Sequence, residues 1–341
     1  VVSGADMDDS EETKDAPNVL ICGPPKVGKT SILKAVFQKM SPHETIFLGT
    51  TPKVEVTPVA RNALVRFKVL DFPGTTVFDE QSDPMLFTRT GAVIFVIDAQ
   101  DEPYTEALKL AKQLLELAFR VNPRISFDVL IHKLDGDHFC SDDPKTEIQR
   151  DIQAQLVEDL TDMDDAQITF HCTSIYNHTV YEAMSKVVQK LIPQQLPMLV
   201  QCLDLLTSNS RMEKAYLFDV VSKVYIASDS QPVDLQSYEL CSDMIDVVID
   251  ISCIYGQSEE GNKIANECDS KSSCVIHLNN GRLLYLREVD KCLALVCILR
   301  EENFDRQHLL DHNIKVFKDA LGEIFRVPLE KRTTSKHSIG V

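Results

Sequence analysis

Gly23-Pro24-Pro25-Lys26-Val27-Gly28-Lys29-Thr30 follows the pattern G-x-x-x-x-G-K-[ST]. A glycine loop of that spacing, set between a buried strand and a helix, turns backbone N–H groups toward one point. That point lies at the positive end of a helix dipole, and a triphosphate is its natural occupant. Lys29 would reach the β- and γ-phosphates, and Thr30 would give its hydroxyl to Mg²⁺. Gly23, Lys26, Val27, Gly28 and Ser31 complete the expected phosphate-binding set. The context fits: Val19-Leu20-Ile21-Cys22 reads as a buried strand. Ser31 to Met40 reads as a helix with Leu33, Val36, Phe37 and Met40 on one face.

Four more segments point to the same nucleotide. Asp71-Phe72-Pro73-Gly74 follows a strand ending at Leu70. Asp71 would hold Mg²⁺ through water, and Gly74 would offer its N–H to the γ-phosphate. His132-Lys133-Leu134-Asp135 follows strand 128–131 and resembles the [NT]-K-x-D element that reads guanine. Asp135 would accept both guanine N1–H and N2–H, a pairing adenine cannot make. Lys133 would lay its stem along the base. His132 stands where Asn or Thr is usual, either as a satisfied histidine at a strand end or as a base contact. Cys172-Thr173-Ser174-Ile175 resembles the backbone element that meets guanine O6, which adds Ser174 and Ile175 to the site. Thr50 and Thr51 fall where a switch threonine belongs. Water attack on a γ-phosphate usually uses a Gln just after Asp-x-x-Gly to orient the water. This chain has Thr75 there, and a hydroxyl is too short to copy the amide, so Thr75 occupies the catalytic position without the usual means.

The elements that must position these groups alternate from 17 to 193. Strands are expected at 19–22, 64–70, 92–97, 128–131 and 168–172, and helices at 31–40, 104–119 and 145–160. Val180, Ala183, Met184, Val187, Val188, Leu191 and Ile192 mark a last helix that Pro193 ends. This is a doubly wound α/β domain with its site at the strand C-termini. Pro193 to Pro197 reads as a boundary. Beyond it, strands at 215–221 and 223–228, a helix over 235–255, a hairpin at 274–278 and 283–289, a strand at 293–299 and a helix over 304–325 give the order β-β-α-β-β-β-α. That order is an antiparallel α+β domain. Asn280-Gly281 is the hairpin's turn signal. Residues 1–16 read as an acidic flexible tail, 257–272 as a mobile loop and 327–341 as a basic, poorly ordered tail. The resulting domains are 17–193 and 194–326.

With 341 residues, 44% hydrophobic and 26% charged, the chain suits two globular domains. A formal net charge of −17 argues against nucleic acid and against direct adsorption to anionic lipid. No segment approaches the ~20 apolar residues of a membrane helix. The closing Ser-Ile-Gly-Val has no prenylation cysteine, so no direct membrane anchor is expected. The ten cysteines form no Cys-x-x-Cys pair, which suits a reducing, cytoplasmic compartment. Cys22, Cys172, Cys253, Cys292 and Cys297 read as small buried hydrophobes, and His138 with Cys140 lacks a second ligand pair for a metal.

Across about 17–326 the chain resembles the Rag small GTPases, and within them the C/D-type subunit. The resemblance is carried by segments 39–51, 69–74, 91–101, 131–136, 149–155, 173–178 and 185–194, and by 213–256 in the second domain. The His-Lys-x-Asp variant and segment 213–256 are its most specific parts. It implies a Ras-like P-loop GTPase domain followed by a roadblock/longin-like dimerisation domain that pairs with an A/B-type Rag. It implies GTP/GDP and Mg²⁺ as ligands, with Thr51 the switch threonine on the metal and Thr45 in the same switch. It implies a Ragulator-like scaffold, a TOR complex subunit and an activating protein as partners. It also implies a role in signalling amino-acid sufficiency at the lysosomal or vacuolar surface, with a nuclear location also open. Two departures stand out: Pro24-Pro25-Lys26-Val27 where the family usually carries Arg-Arg-Ser, and Thr75 for the C/D-type Gln. The alternative to a switch is a GTP-holding scaffold with little turnover.

Overall fold

The computed structural model describes residues 16–325 apart from 61, 63, 65, 80–82, 140, 159–166, 256–272 and 305. The expected tail at its first 15 residues, the loop at 257–272 and the tail at 327–341 lie outside the described residues, as does the side chain of Cys253.

The first sheet has the order β2-β3-β1-β4-β5-β6. Its strands are β1 (Asn18–Cys22), β2 (Glu55–Ala60), β3 (Arg66–Asp71), β4 (Thr90–Asp98), β5 (Ser126–His132) and β6 (Ile168–Thr173). All neighbours are parallel except β2, which runs antiparallel to β3. The helices are α1 (Lys29–Gln38), α2 (Pro84–Thr88), α3 (Thr105–Val121), α4 (Asp142–Glu158) and α5 (Thr179–Leu191). Alternate residues of one strand serve opposite faces. Val19 and Ile21 pack with α1 and α5, while Leu20 and Cys22 pack with α3 and α4. The strands are apolar on both faces because helices cover both. Strand C-termini therefore meet helix N-termini along one edge, and the loops at 23–28, 72–76, 98–104, 132–136 and 174–178 gather there.

β2 departs from the sequence reading, which has no strand there. Glu55-Val56-Thr57-Pro58-Val59-Ala60 buries only Val59 deeply, so it lacks an apolar run. An edge strand also tolerates Pro58, whose missing N–H costs no ladder bond there. The first helix is shifted too: it starts at Lys29 and ends at Gln38, with Lys39 left-handed at φ 56° and Met40 beyond it.

The second sheet is antiparallel, with the order β8-β7-β11-β10-β9. Its strands are β7 (Met212–Asp219), β8 (Tyr225–Ser228), β9 (Ser273–His277), β10 (Arg282–Asp290) and β11 (Leu293–Arg300). α6 (Gln195–Ser210) and α9 (Gln307–Phe325) cover one face through Leu199, Leu203, Leu310, Ile314 and Phe317. The short α8 (Glu301–Phe304) leads into α9. α7 (Leu235–Tyr255) covers the other face through Tyr238, Cys241, Met244, Ile245 and Val248.

The sequence reading has a boundary at 193–197 and no helix after it, whereas α6 occupies Gln195–Ser210. Pro197 is the third residue of the helix, where the backbone N–H has no intrahelical partner to lose. The element order is therefore α-β-β-α-β-β-β-α-α. α5 and α6 are nearly continuous, with Leu196 N donating to Ile192 O at 3.0 Å. The two sheets are joined through α5. Ser185 Oγ accepts from Tyr225 N at 3.0 Å, and Gln189 Nε2 donates to Tyr225 O at 3.4 Å. Cys22, Cys292 and Cys297 are buried as expected, while Cys172 is only half-buried.

Candidate functional site

A cleft of about 910 Å³ opens over the gathered loops. Thirteen of the expected site residues line it: Lys26, Gly28, Lys29, Thr30, Ser31, Thr45, Thr51, Gly74, Thr75, His132, Lys133, Asp135 and Ile175. Gly23, Val27, Asp71 and Ser174 do not. Val27 is core, and the other three act one layer back, through hydrogen bonds to residues that line the cleft.

At the phosphate end, α1 starts directly at Lys29. Its N-cap, Gly28, supplies no side-chain hydrogen bond. The first-turn N–H groups thus keep their demand for an acceptor, which an anion meets. The Lys29 ammonium lies across the loop, donating to Gly23 O and Pro24 O at 2.8 Å each. Burial pushes its pKa down. Thr30 Oγ1 lies 2.8 Å from Thr51 Oγ1 and donates to Asp71 Oδ2 at 2.5 Å. Three residues called separately from sequence thus converge on one point. Asp71 is 2% exposed, and its Oδ1 has no hydrogen-bond partner among the described residues. Burial raises its pKa above the ordinary carboxylate value; the Thr30 hydrogen bond and Lys29 pull the other way.

Gly74 sits against the phosphate loop. A Cβ there would fall 2.4 Å from Pro25 Cα and N, so a side chain would displace the loop or the segment after β3. Thr75 is exposed at the cleft rim. Thr45 lines the cleft but spends its hydroxyl on Pro42 O at 2.7 Å.

At the base end, Lys133 takes a left-handed backbone at φ 64°. Its ammonium donates to Asp98 Oδ2 at 2.5 Å and to Lys26 O at 2.9 Å, which ties this loop to the phosphate loop. Asp135 is exposed to the cleft, and Ser174 Oγ donates to its Oδ1 at 2.7 Å. His132 is 1% exposed, with Nδ1 3.0 Å from Thr173 Oγ1. Its ring packs on Gly28 so closely that a Cβ there would lie 3.0 Å from the imidazole Cδ2. Burial lowers its pKa to about 4, so the ring is neutral at ordinary pH. His132 is thus a buried strand-end histidine bonded through Nδ1, and its ring also lines the cleft.

Sequence reasoning missed Asp98, Gln100 and Tyr176, which hold or line the base end, and Ile46, Leu48, Gly49 and Pro52, which wall the cleft beside Thr51. Asp98 and Gln100 had a signal: they directly follow a strand expected at 92–97, as the phosphate loop and the Asp71 and His132 segments follow theirs.

The Gtr1/RagA G protein conserved region matches residues 18–245. That span contains the whole cleft. The chain belongs to this family. It is 51% identical over 325 residues to Ras-related GTP-binding protein C of Homo sapiens, covering 94% of this chain and 80% of that protein. It is 50% identical over 329 residues to Ras-related GTP-binding protein D of Mus musculus, covering 95% and 72%. With GTP-binding protein gtr2 of Schizosaccharomyces pombe it shares 45% over 314 residues, covering 90% and 97%. The resemblance to C/D-type Rag proteins therefore holds along both sheets. As a member of the Rag/Gtr G proteins the chain is a GTPase, cleaving GTP to GDP and phosphate.

Proposed function

We propose that this chain is the C/D-type subunit of a Rag heterodimer, a guanine-nucleotide switch that signals amino-acid sufficiency to the TOR kinase complex from the lysosomal or vacuolar surface. The observation that carries the switch reading is the meeting of Thr30, Thr51 and Asp71. Thr51 belongs to the segment between α1 and β2, and Asp71 ends β3. A group bound among them would tie the segment between α1 and β2 to the phosphate loop and to the end of β3.

The donor set suits Mg²⁺. Two hydroxyls and a carboxylate are hard oxygen ligands, and the partnerless buried Oδ1 of Asp71 is an atom that calls for a cation or an ordered water. Bound there, Mg²⁺ would neutralise phosphate charge. Thr30 and Thr51 would hold it directly and Asp71 through water. Lys29 would add positive charge beside the phosphates, and the Gly74 N–H would serve the γ-phosphate. Ser174, which donates to Asp135 Oδ1, would steady that carboxylate for the guanine edge, with the backbone of Ile175 as a further base contact.

Thr75 cannot orient a water as an amide does. Hydrolysis is therefore slow alone and depends on an activating protein. The second reading, a GTP-holding scaffold with little turnover, rests on the same residue. Single-turnover GTP hydrolysis by the purified heterodimer, with and without a candidate activator, separates them. Turnover that needs the activator supports the switch, and none under any condition supports the scaffold.

The second sheet serves as the roadblock/longin-like dimerisation domain, within the proposed division 17–193 and 194–326. β8, one edge of its sheet, packs on α5. Among the described residues, no strand pairs with the outer side of β9. α7 exposes Val247, Ile251 and Ile254 at 45%, 50% and 70%. An unpaired edge and an apolar helix face suit pairing with an A/B-type subunit. No described helix is long and apolar enough to cross a membrane, so membrane residence would come through a Ragulator-like scaffold.

A further inference from the structure

Three consecutive residues after the main body of β4 grip the base-reading loop. Asp98 Oδ2 accepts from Lys133 Nζ at 2.5 Å. Ala99 N donates to His132 O at 2.9 Å. Gln100 Nε2 donates to Lys133 O at 2.8 Å. Asp98 Oδ1 also accepts from Gln100 N at 3.0 Å, which sets where the Gln100 side chain begins.

Lys133 needs this grip. Its φ of 64° places a Cβ-bearing residue in the left-handed region, which Gly or Asn would enter more readily. Nothing within His132-Lys133-Leu134-Asp135 favours that turn. It persists because surrounding groups determine it. The turn stands between the end of β5 and Asp135, so its angle sets where the Asp135 carboxylate points. Ser174 orients that carboxylate from one side. Gln100 caps the turn from the other, and it lines the same cleft.

We propose that Gln100, seated by Asp98, is a positioning residue for guanine specificity: its amide caps the Lys133 carbonyl and fixes the turn that aims Asp135 at the base. The inference rests on the reading of Asp135 as the base acceptor. Gln100 is itself exposed, so removing its side chain takes little from the core.

The test is the affinity of the full chain for GDP against inosine diphosphate, which lacks the exocyclic amino group that Asp135 would accept from. The wild-type chain prefers GDP, and Asp135→Asn removes the preference. Gln100→Ala and Gln100→Glu each reduce the ratio about fivefold, the worth of one modest hydrogen bond. The loss falls mainly on GDP, and the thermal midpoint of the ligand-free chain stays where it was. A wild-type ratio in both Gln100 variants, with Asp135→Asn still active in abolishing it, overturns the proposal alone. Equal weakening of GDP and inosine diphosphate also overturns it, since that marks general support of the loop. If Asp135→Asn leaves the preference intact, the reading of Asp135 fails and takes this inference with it.

Discussion

At the phosphate end of the cleft a buried carboxylate keeps one oxygen without a partner among the described residues; at the base end each ionisable group has a hydrogen-bond partner. Burial raises the Asp71 carboxyl and lowers the Lys29 ammonium, and Asp71 Oδ1 has no partner among the described residues. Lys133 has Asp98, Asp135 has Ser174 and His132 has Thr173. The difference follows from what each end must recognise. A base is neutral and planar, so a rigid, satisfied frame reads it with little reorganisation. On the proposed reading a metal–phosphate group would bring its own charge, so a frame with an unpartnered buried carboxylate oxygen would gain most when the group arrives. On the proposed switch reading, the phosphate end would report which nucleotide is bound, while the base end would hold any guanine nucleotide alike.

The largest expected effect falls at the base end, because a frame that rigid cannot adapt. Asp135→Asn replaces an acceptor of two hydrogen bonds by an amide that can accept only one. GTP and GDP affinity should both fall about 1,000-fold, and xanthine nucleotides should be preferred. Titration with both nucleotide series checks this; unchanged guanine selectivity removes the base assignment. Thr30→Asn comes next. It should weaken Mg²⁺-dependent GTP binding about 100-fold and GDP binding much less. Equal losses would mean that the two ends do not differ in what they sense.

How much of this was legible depended on whether a function needed a residue type or a neighbour. Lys29, Thr30, Asp71 and Asp135 do chemistry open to very few residue types at that spacing, and each lies in a segment that follows an apolar strand that periodicity reveals. The meeting of Thr51 with Thr30 and Asp71 required the fold, because the segment between α1 and β2 is irregular and β2 is a half-exposed edge. Asp98 and Gln100 carried only the weak signal of following a buried strand. Their work is to hold a backbone carbonyl and an ammonium, and many polar residues can do that from many places. α6 falls where the sequence reading has only a boundary, and Pro197 stands in its first turn, where proline is tolerated.

His132 gives a pH test of the claim that the base end is satisfied without ligand. In the unfolded chain its imidazole titrates near the ordinary 6.5; in the fold, burial lowers it to about 4. Between those values the unfolded chain takes up a proton that the fold refuses. Stability from this residue is therefore complete above pH 6.5 and declines as pH falls toward 4, by up to about 3 kcal/mol. His132→Asn should flatten that part of the profile. Denaturant unfolding across pH 4–7 measures it, and an unchanged slope in the variant would show that the ring is not held neutral.

The smallest effect sharpens the comparison most. Ser174 is 0% exposed and never reaches the cleft, so its hydroxyl cannot touch a ligand directly. It donates to Asp135 Oδ1 at 2.7 Å and accepts from Tyr176 N at 3.1 Å. Ser174→Ala leaves the acceptor chemistry of Asp135 intact and removes only its alignment. If preorganisation is what the base end contributes, GDP should dissociate about tenfold faster with little change in its association rate. Stopped-flow displacement of a fluorescent GDP separates the two rates. An unaltered dissociation rate would mean that Asp135 finds its geometry only when the base arrives, and the two ends of the cleft would then work by the same principle.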